Sequence, residues 1–438
     1  MFGIPPLINN KQNKFFFDFQ KRSSHISSVE KVWSIITFIL GTIALFFVIS
    51  FSFDPMGKFI SPLVTHLTSL KPLSNSQQNA YEVFGFAPYW TINKLESVDF
   101  STLTTFAYFG VPILAEGGLD KDDYGYTVFK ADKATQIFKK AHDNGARVIL
   151  TITCMDNDTI ESFLGSDVAR ERTINDTIDE VKNRGIDGVN VDVEYVGTPN
   201  AYYREQFSIF ISELSTRMHK ELPSSYVTVS VYASSAKEAK MYDIASIGKS
   251  ADGVFMMAYD FAGRGSSEAM PTAPLYGHKE GKYSYDIETA VKDFQKHMPA
   301  NKIILGVPYY GYSYLVNGEP RVKASTKPTW SSLGKSFAQT YEVAMDSKYS
   351  EREGWDDLGQ VGWKAYYVSE VDAWRMIFLD DARSLGVKYD FAKNNNLGGV
   401  GIWALGFDSG KSELWAVLKE KFGIRDLADS RLKLAEIN

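Results

Sequence analysis

The sequence predicts an α/β protein: a (β/α)8 TIM barrel carrying a small inserted α+β subdomain and preceded by a single transmembrane helix. Three observations predict it. Eight short runs rich in β-branched and aromatic residues alternate with amphipathic segments from Tyr81 to Phe422. No G-x-G-x-x-G or G-x-x-x-x-G-K follows any of these runs, which argues against an open, doubly wound nucleotide-binding sheet. Before them lies a charge-free apolar stretch, Val32 to Phe53.

That stretch would span roughly 33 Å as a helix, enough to cross a hydrocarbon core. Lys11, Lys14, Lys21, Arg22 and Lys31 precede it against only Asp18 and Glu30. This bias places residues 1–31 in the cytoplasm as a basic tail and everything after residue 53 outside it. A cleaved signal peptide is the rival reading, but SFSFDPMG offers no A-x-A site and the apolar run is long for one. Residues 54–80, with Pro55, Pro62, Pro72 and the run SNSQQN, read as a linker. Residues 424–438 read as a polar tail.

Composition excludes several classes. The 438 residues carry a net charge of −6 with no basic block in the main body, so nucleic acid is not an expected partner. A single cysteine, Cys154, excludes an intrachain disulfide framework. The six histidines, at 25, 66, 142, 219, 278 and 297, show no metal-ligand spacing; no metal and no cofactor are expected.

The candidate strands are residues 82–89, 102–111, 146–153, 188–194, 226–233, 253–261, 302–311 and 399–406. A helix is expected after Thr198-Pro199, with Thr198 as N-cap and Pro199 in the first turn. It would align Tyr203, Phe207, Phe210, Ile211, Leu214 and Met218 on one side. Another would align Leu414, Leu418 and Phe422. Gly145 and Gly185 stand where helix C-terminal glycines belong. One connection, about 315–380, is too long for a plain loop and reads as the inserted subdomain. The globular unit is then 81–423.

Within the fourth strand, GVNVDVE, three valines alternate with Asn190, Asp192 and Glu194. Period 2 gives the strand two faces. The valines are expected outward, against helices, and the polar groups toward the barrel axis. Buried ionisable groups are costly unless they interact with one another or with something that arrives. These climb toward the C-terminal end of the strand, where active sites of this architecture sit. The blander readings are a buried polar network that fixes the strand, or a solvated face.

The stretch Asp187-Gly-Val-Asn190-Val-Asp192-Val-Glu194 resembles the DGxDxDxE signature of glycoside hydrolase family 18. Met257-Ala-Tyr259-Asp260 resembles its MxYD motif, KIILGVPYYGYSY its seventh strand, and Trp403 in GVGIWALG its eighth-strand tryptophan. Two departures matter. Asn190 replaces the usual central Asp; it can donate to Asp192 but cannot take up its proton. The third strand ends TITCMDND instead of S-x-G-G, which moves the likeness toward spore-cortex and peptidoglycan glycosidases and away from true chitinases.

The resemblance implies cleavage of a β-linked, N-acetylglucosamine-containing glycan such as peptidoglycan or a chitin-like polymer. In that scheme Glu194 is the general acid and base, Asp192 orients the substrate acetamide, and Tyr259 donates its hydroxyl to the acetamide oxygen. Asp187 and Asn190 support Asp192 from below. Met257 and Asp260 contact substrate, and Asp260 is the remaining candidate nucleophile if the substrate does not assist. Trp403 floors the pocket, with Trp90, Tyr309 and Tyr310 nearby, because flat rings suit the apolar face of a pyranose. Geometry agrees with assistance: Asp192 and Glu194 are two residues apart on one strand, about 6.5–7 Å between Cα atoms, and point the same way. They cannot flank a sugar on opposite faces as an ordinary retaining pair does. Burial and the Asp192 charge are expected to raise the Glu194 pKa. Cys154 is assigned no role, and Asp156 and Asp158 read as a solvated loop. The alternative functional class is a chitinase-like, sugar-binding protein without turnover; a further one is a barrel that positions wall factors.

Overall fold

The computed structural model describes residues 81–327, 334–345 and 350–423. The expected basic tail, membrane span, linker and C-terminal tail lie outside these residues. Among the described residues, no helix is long and apolar enough to cross a membrane.

Eight parallel strands close into a barrel. They are β1 (Glu82–Pro88), β2 (Thr105–Pro112), β3 (Arg147–Cys154), β4 (Gly188–Val193), β5 (Tyr226–Tyr232), β6 (Gly253–Met257), β7 (Ile303–Pro308) and β13 (Gly399–Trp403). Neighbours follow the chain except that β13 sits between β7 and β1, closing the ring. Six lie within a predicted segment, and β2 and β3 each run one residue past theirs, to Pro112 and Cys154. The boundaries move where the ladder ends: β4 stops at Val193, although the Glu194 N–H still donates to Cys154 O at 2.8 Å. β6 stops at Met257, leaving Tyr259 and Asp260 in the following loop.

The alternation in β4 plays out as expected. Val189, Val191 and Val193 are fully buried in the large outer cluster, between the strands and the helix layer. The barrel interior is a separate cluster that includes Phe84, Phe86, Ile149, Phe255 and Ile304. Phe255 fills the axis closely, and Gly401 makes room for it: a Cβ there would lie 2.2 Å from its ring. Such close packing of side chains makes the barrel a core and not a pore.

The helices follow local signals. The helix Asp167–Arg184 is capped by Ser166 and stops at Gly185, whose φ of 62° is left-handed. Gly145, at φ 81°, follows the helix Asp132–Asp143. One start differs from expectation. The N-cap of the helix Ala201–Glu221 is Asn200, whose Oδ1 accepts from the Tyr202 N–H at 2.9 Å, so Thr198 and Pro199 stay outside the helix. Asn is at least as good a cap as Thr and stands immediately before the helical run.

The inserted subdomain is an antiparallel sheet of β8 (Tyr310–Val316), β9 (Phe337–Thr340), β10 (Arg352–Asp356), β11 (Val361–Val368) and β12 (Ala373–Leu379), in the order β10-β11-β12-β8-β9. It opens earlier than expected. The run 302–311 is two strands: Tyr309 N–H still donates to Trp403 O, and from Tyr310 the chain pairs with β9 and then β12. The subdomain is tied down by Asp356, which is buried and accepts from Lys282 Nζ at 2.5 Å and from the Tyr283 hydroxyl. Where it returns to the barrel, Lys388 and Asp380 form an ion pair that is 0% and 1% exposed.

Candidate active site

The strand ends open into a cleft of about 620 Å³. Asp192, on β4 opposite Thr153 of β3, points into it and is only 3% exposed. One of its oxygens, Oδ1, has no hydrogen-bond partner among the described residues. Burial, and then the neighbouring Glu194 charge, push its carboxyl well above the ordinary Asp range. Glu194 stands one step higher at the rim. Burial raises its pKa, the Tyr232 hydroxyl bonded to it pulls it back down, and the Asp260 charge raises it. The pair is therefore built to retain a proton rather than to carry two charges.

Tyr259 lies beside them, its phenol held neutral by burial and by the charges of Asp192, Glu194 and Asp260. It remains a donor. Asp260 adopts a left-handed backbone, φ 58°, and is fixed there by Thr272, which accepts from its N–H at 3.1 Å and donates to Oδ1 at 3.2 Å. The Tyr310 hydroxyl also donates to Oδ1. Trp403 and Met257 form the floor, with the Trp403 ring 4.7 Å from Phe109 and 5.6 Å from Phe86. Trp90, 53% exposed, stands at the rim.

Three expected residues are placed differently. Tyr309 is fully buried in the outer cluster, with its hydroxyl against Tyr389, because successive residues at the end of β7 face opposite ways and Tyr310 takes the cleft side. Asp187 precedes β4 at its lower end, roughly 16 Å along the strand from Asp192. Its carboxylate takes the Val148 N–H and His142 Nε2, each at 2.7 Å, and does not support Asp192. Asn190 does face inward and is fully buried, but its amide donates to Ser230 Oγ at 3.0 Å and its carbonyl accepts from Thr228 Oγ1 at 2.8 Å. It joins β4 to β5 instead of bonding Asp192.

The residues after β3 are not the plain loop expected: Asp158 lies in the first turn of the helix Asn157–Gly165. Cys154 is buried, its thiol pushed up to about 11 by desolvation. Asp156 caps the helix Asn157–Gly165 through the Thr159 N–H at 2.9 Å. Among the described residues, no group of three His, Cys, Asp or Glu could hold a metal.

Sequence reasoning missed Tyr232, Ser230, Tyr285 and Lys240. The first two had a signal: Thr228, Ser230 and Tyr232 alternate along β5 in register with Asn190 on β4. Tyr285 and Lys240 reach the cleft from loops, and only tertiary folding brings them there. Together these groups offer a carboxyl whose pKa is raised, a second buried carboxyl on the same side, a phenol donor and an aromatic floor. That set can hold a hydroxyl-bearing ring with an apolar face and deliver a proton to an oxygen leaving it.

The sequence profile described as Glycosyl hydrolases family 18 matches residues 71–408. A Bacillus subtilis protein named "Putative sporulation-specific glycosylase YdhD" is 26% identical over 282 residues, covering 63% of this chain and 60% of that protein. This chain thus spans under two thirds of that relative's length. Among solved structures, a family 18 chitinase from Cycas revoluta in complex with (GlcNAc)3 has a TM-score of 0.67 at 20% identity, covering 78% of this chain and all of that one. The spore cortex-lytic enzyme SleL of Bacillus megaterium has a TM-score of 0.60 at 17% identity, covering 78% of this chain and 74% of that one. At such identities the structures share the fold.

Proposed function

The chain belongs to glycosyl hydrolase family 18, and we propose that it is a membrane-anchored glycosidase that cleaves a β-linked, N-acetylglucosamine-containing glycan with retention of configuration. The observation that carries this reading is the placement of Asp192 and Glu194 side by side on one strand end, above an aromatic floor and beside Tyr259. Neither carboxylate lies across the cleft from the other, as a separate nucleophile would require. A 2-acetamido group on the substrate supplies the nucleophile, which is this family's exception to the paired-carboxylate scheme.

In this mechanism Glu194 protonates the glycosidic oxygen while the acetamide oxygen attacks C1, giving an oxazolinium ion and a free leaving hydroxyl. Asp192 accepts the acetamide N–H and balances the developing positive charge. Tyr259 donates to the acetamide oxygen and aligns it. Glu194, now ionised, takes a proton from water as that water opens the oxazolinium at C1. Asp260, held by Thr272 and Tyr310, contacts the sugar hydroxyls. The apolar run 32–53 anchors the chain with its N-terminus in the cytoplasm, so the barrel works on a polymer close to the outer membrane face.

The test is to express residues 76–438 and measure release of products from N-acetylglucosamine oligomers and purified peptidoglycan, beside Glu194→Gln. Loss of at least about 100-fold in the variant is expected, the size of a general-acid contribution. Equal turnover by both proteins would overturn the assignment. For the anchor, the full chain should sediment with membranes through an alkaline wash, and a chain lacking residues 1–53 should not.

A further inference from the structure

Among the described residues that line the cleft, Lys240 is the single cation. The other charged groups there are the carboxylates Asp192, Glu194 and Asp260. None of them forms an ion pair with Lys240 among the described residues. Its one ion-pair partner there is Glu238 on the same loop, at 3.4 Å, with side chains 38% and 54% exposed. A pair so exposed contributes little and is readily exchanged for another anion.

The backbone supports a placed side chain. Lys240 has φ 22°, outside the ordinary range for a residue with a Cβ, and its carbonyl accepts from Arg204 Nη1 at 3.5 Å. Strain of this kind costs free energy and persists where the surrounding structure imposes it, often at ligand sites. A second cation stands on the same loop: Lys237 Nζ lies 5.0 Å from the ring of Tyr285, itself a cleft residue. Lys240 thus sets one cation in a cleft whose other charged groups are carboxylates. A neutral amino-sugar polymer presents hydroxyls and amides, which the carboxylates and phenols already serve. A cation beside them has a use when the ligand brings a carboxylate of its own.

We propose that Lys240 is a specificity-determining residue whose ammonium pairs with a carboxylate borne on the sugar ring as a 3-O-lactyl group, so that the cleft selects an acidic N-acetylated amino-sugar strand over a neutral one. This rests on the glycosidase reading and names its substrate class. The probes are peptide-free glycan strands bearing lactyl groups, the same strands with the carboxylates converted to amides, and N-acetylglucosamine oligomers of equal length. The readout is the ratio of kcat/KM on acidic over neutral strands. Lys240→Gln should lower that ratio about tenfold or more, the scale of a charge-assisted hydrogen bond. Lys240→Arg should keep most of it, and amidation should cost the unaltered protein the same factor. A ratio unmoved within about twofold overturns the inference, as does an effect seen only with peptide-bearing strands, which assigns the carboxylate to the peptide. Should the unaltered protein cleave neither polymer, the glycosidase reading fails separately. Calorimetric affinities for acidic and neutral strands, with and without Lys240→Gln, then decide the role of Lys240: a ratio unchanged by the substitution overturns it, and a tenfold fall sustains it.

Discussion

Asp192→Asn should make the protein more stable and much less active, and the stability gain should grow with pH. Asp192 is 3% exposed and its Oδ1 lacks a partner, so its ionised form occupies a site that does not solvate it. Burial and Glu194 raise its folded pKa above the unfolded value. A carboxyl shifted this way contributes its full stability below the ordinary Asp range, where both states are protonated. That stability is lost as pH rises through the raised folded value, because the unfolded chain ionises at lower pH than the folded one. An amide has the same shape, cannot ionise and can donate to Glu194. The cost relieved is that of ionising a buried carboxyl with one oxygen left without a donor, about 1–3 kcal/mol or more. Urea unfolding of residues 76–438 at pH 8 should show a gain of that size, shrinking toward zero near pH 4. Turnover should fall by about 100-fold or more, since charge balance for the oxazolinium is lost. An equal change in stability at both pH values, or a loss at pH 8, would show that Asp192 is satisfied in ways the structure does not contain.

Two further outcomes are expected. Tyr232→Phe removes the hydrogen bond that holds the Glu194 pKa down, so the acid stays protonated to higher pH and the alkaline limb of the pH–rate profile should move upward; a limb that stays or moves down contradicts the contact. Lys388→Met strands the buried Asp380 and should destabilise the fold by about 3–5 kcal/mol in urea titrations, whereas the double substitution Asp380→Leu with Lys388→Met should recover most of that loss, as apolar replacements of buried pairs do.

Much of the architecture was legible because it depends on periodicity. Alternating valines in β4 and i, i+4 apolar rows such as Leu414, Leu418 and Phe422 report burial on one side of an element, and the structure buries them so. Asp192, Glu194, Tyr259 and Trp403 gather in one cleft because each sits at or beyond a strand's C-terminal end, where the barrel brings all strand ends together. The same rule explains two misplaced expectations. Tyr309 and Tyr310 are consecutive and cannot both face the cleft, and Asp187 stands at the wrong end of its strand. A motif names residues close in sequence, and five residues of extended chain separate Asp187 from Asp192 by far more than a hydrogen bond.

The chain by itself determined the alternation of strands and helices, the presence of a long insertion, and the two carboxyl groups two residues apart. Those follow from local properties: side-chain period, turn residues, and the reach of an extended backbone. Only the tertiary structure decided which neighbour each buried polar group would meet. Asn190 bonds Thr228 and Ser230 and not Asp192, Tyr232 reaches Glu194, and Lys240 enters the cleft from a loop. Hydrogen bonds and desolvation act over a few ångströms between residues tens of positions apart. They are set by register between strands and by loop conformation, which a linear pattern does not carry.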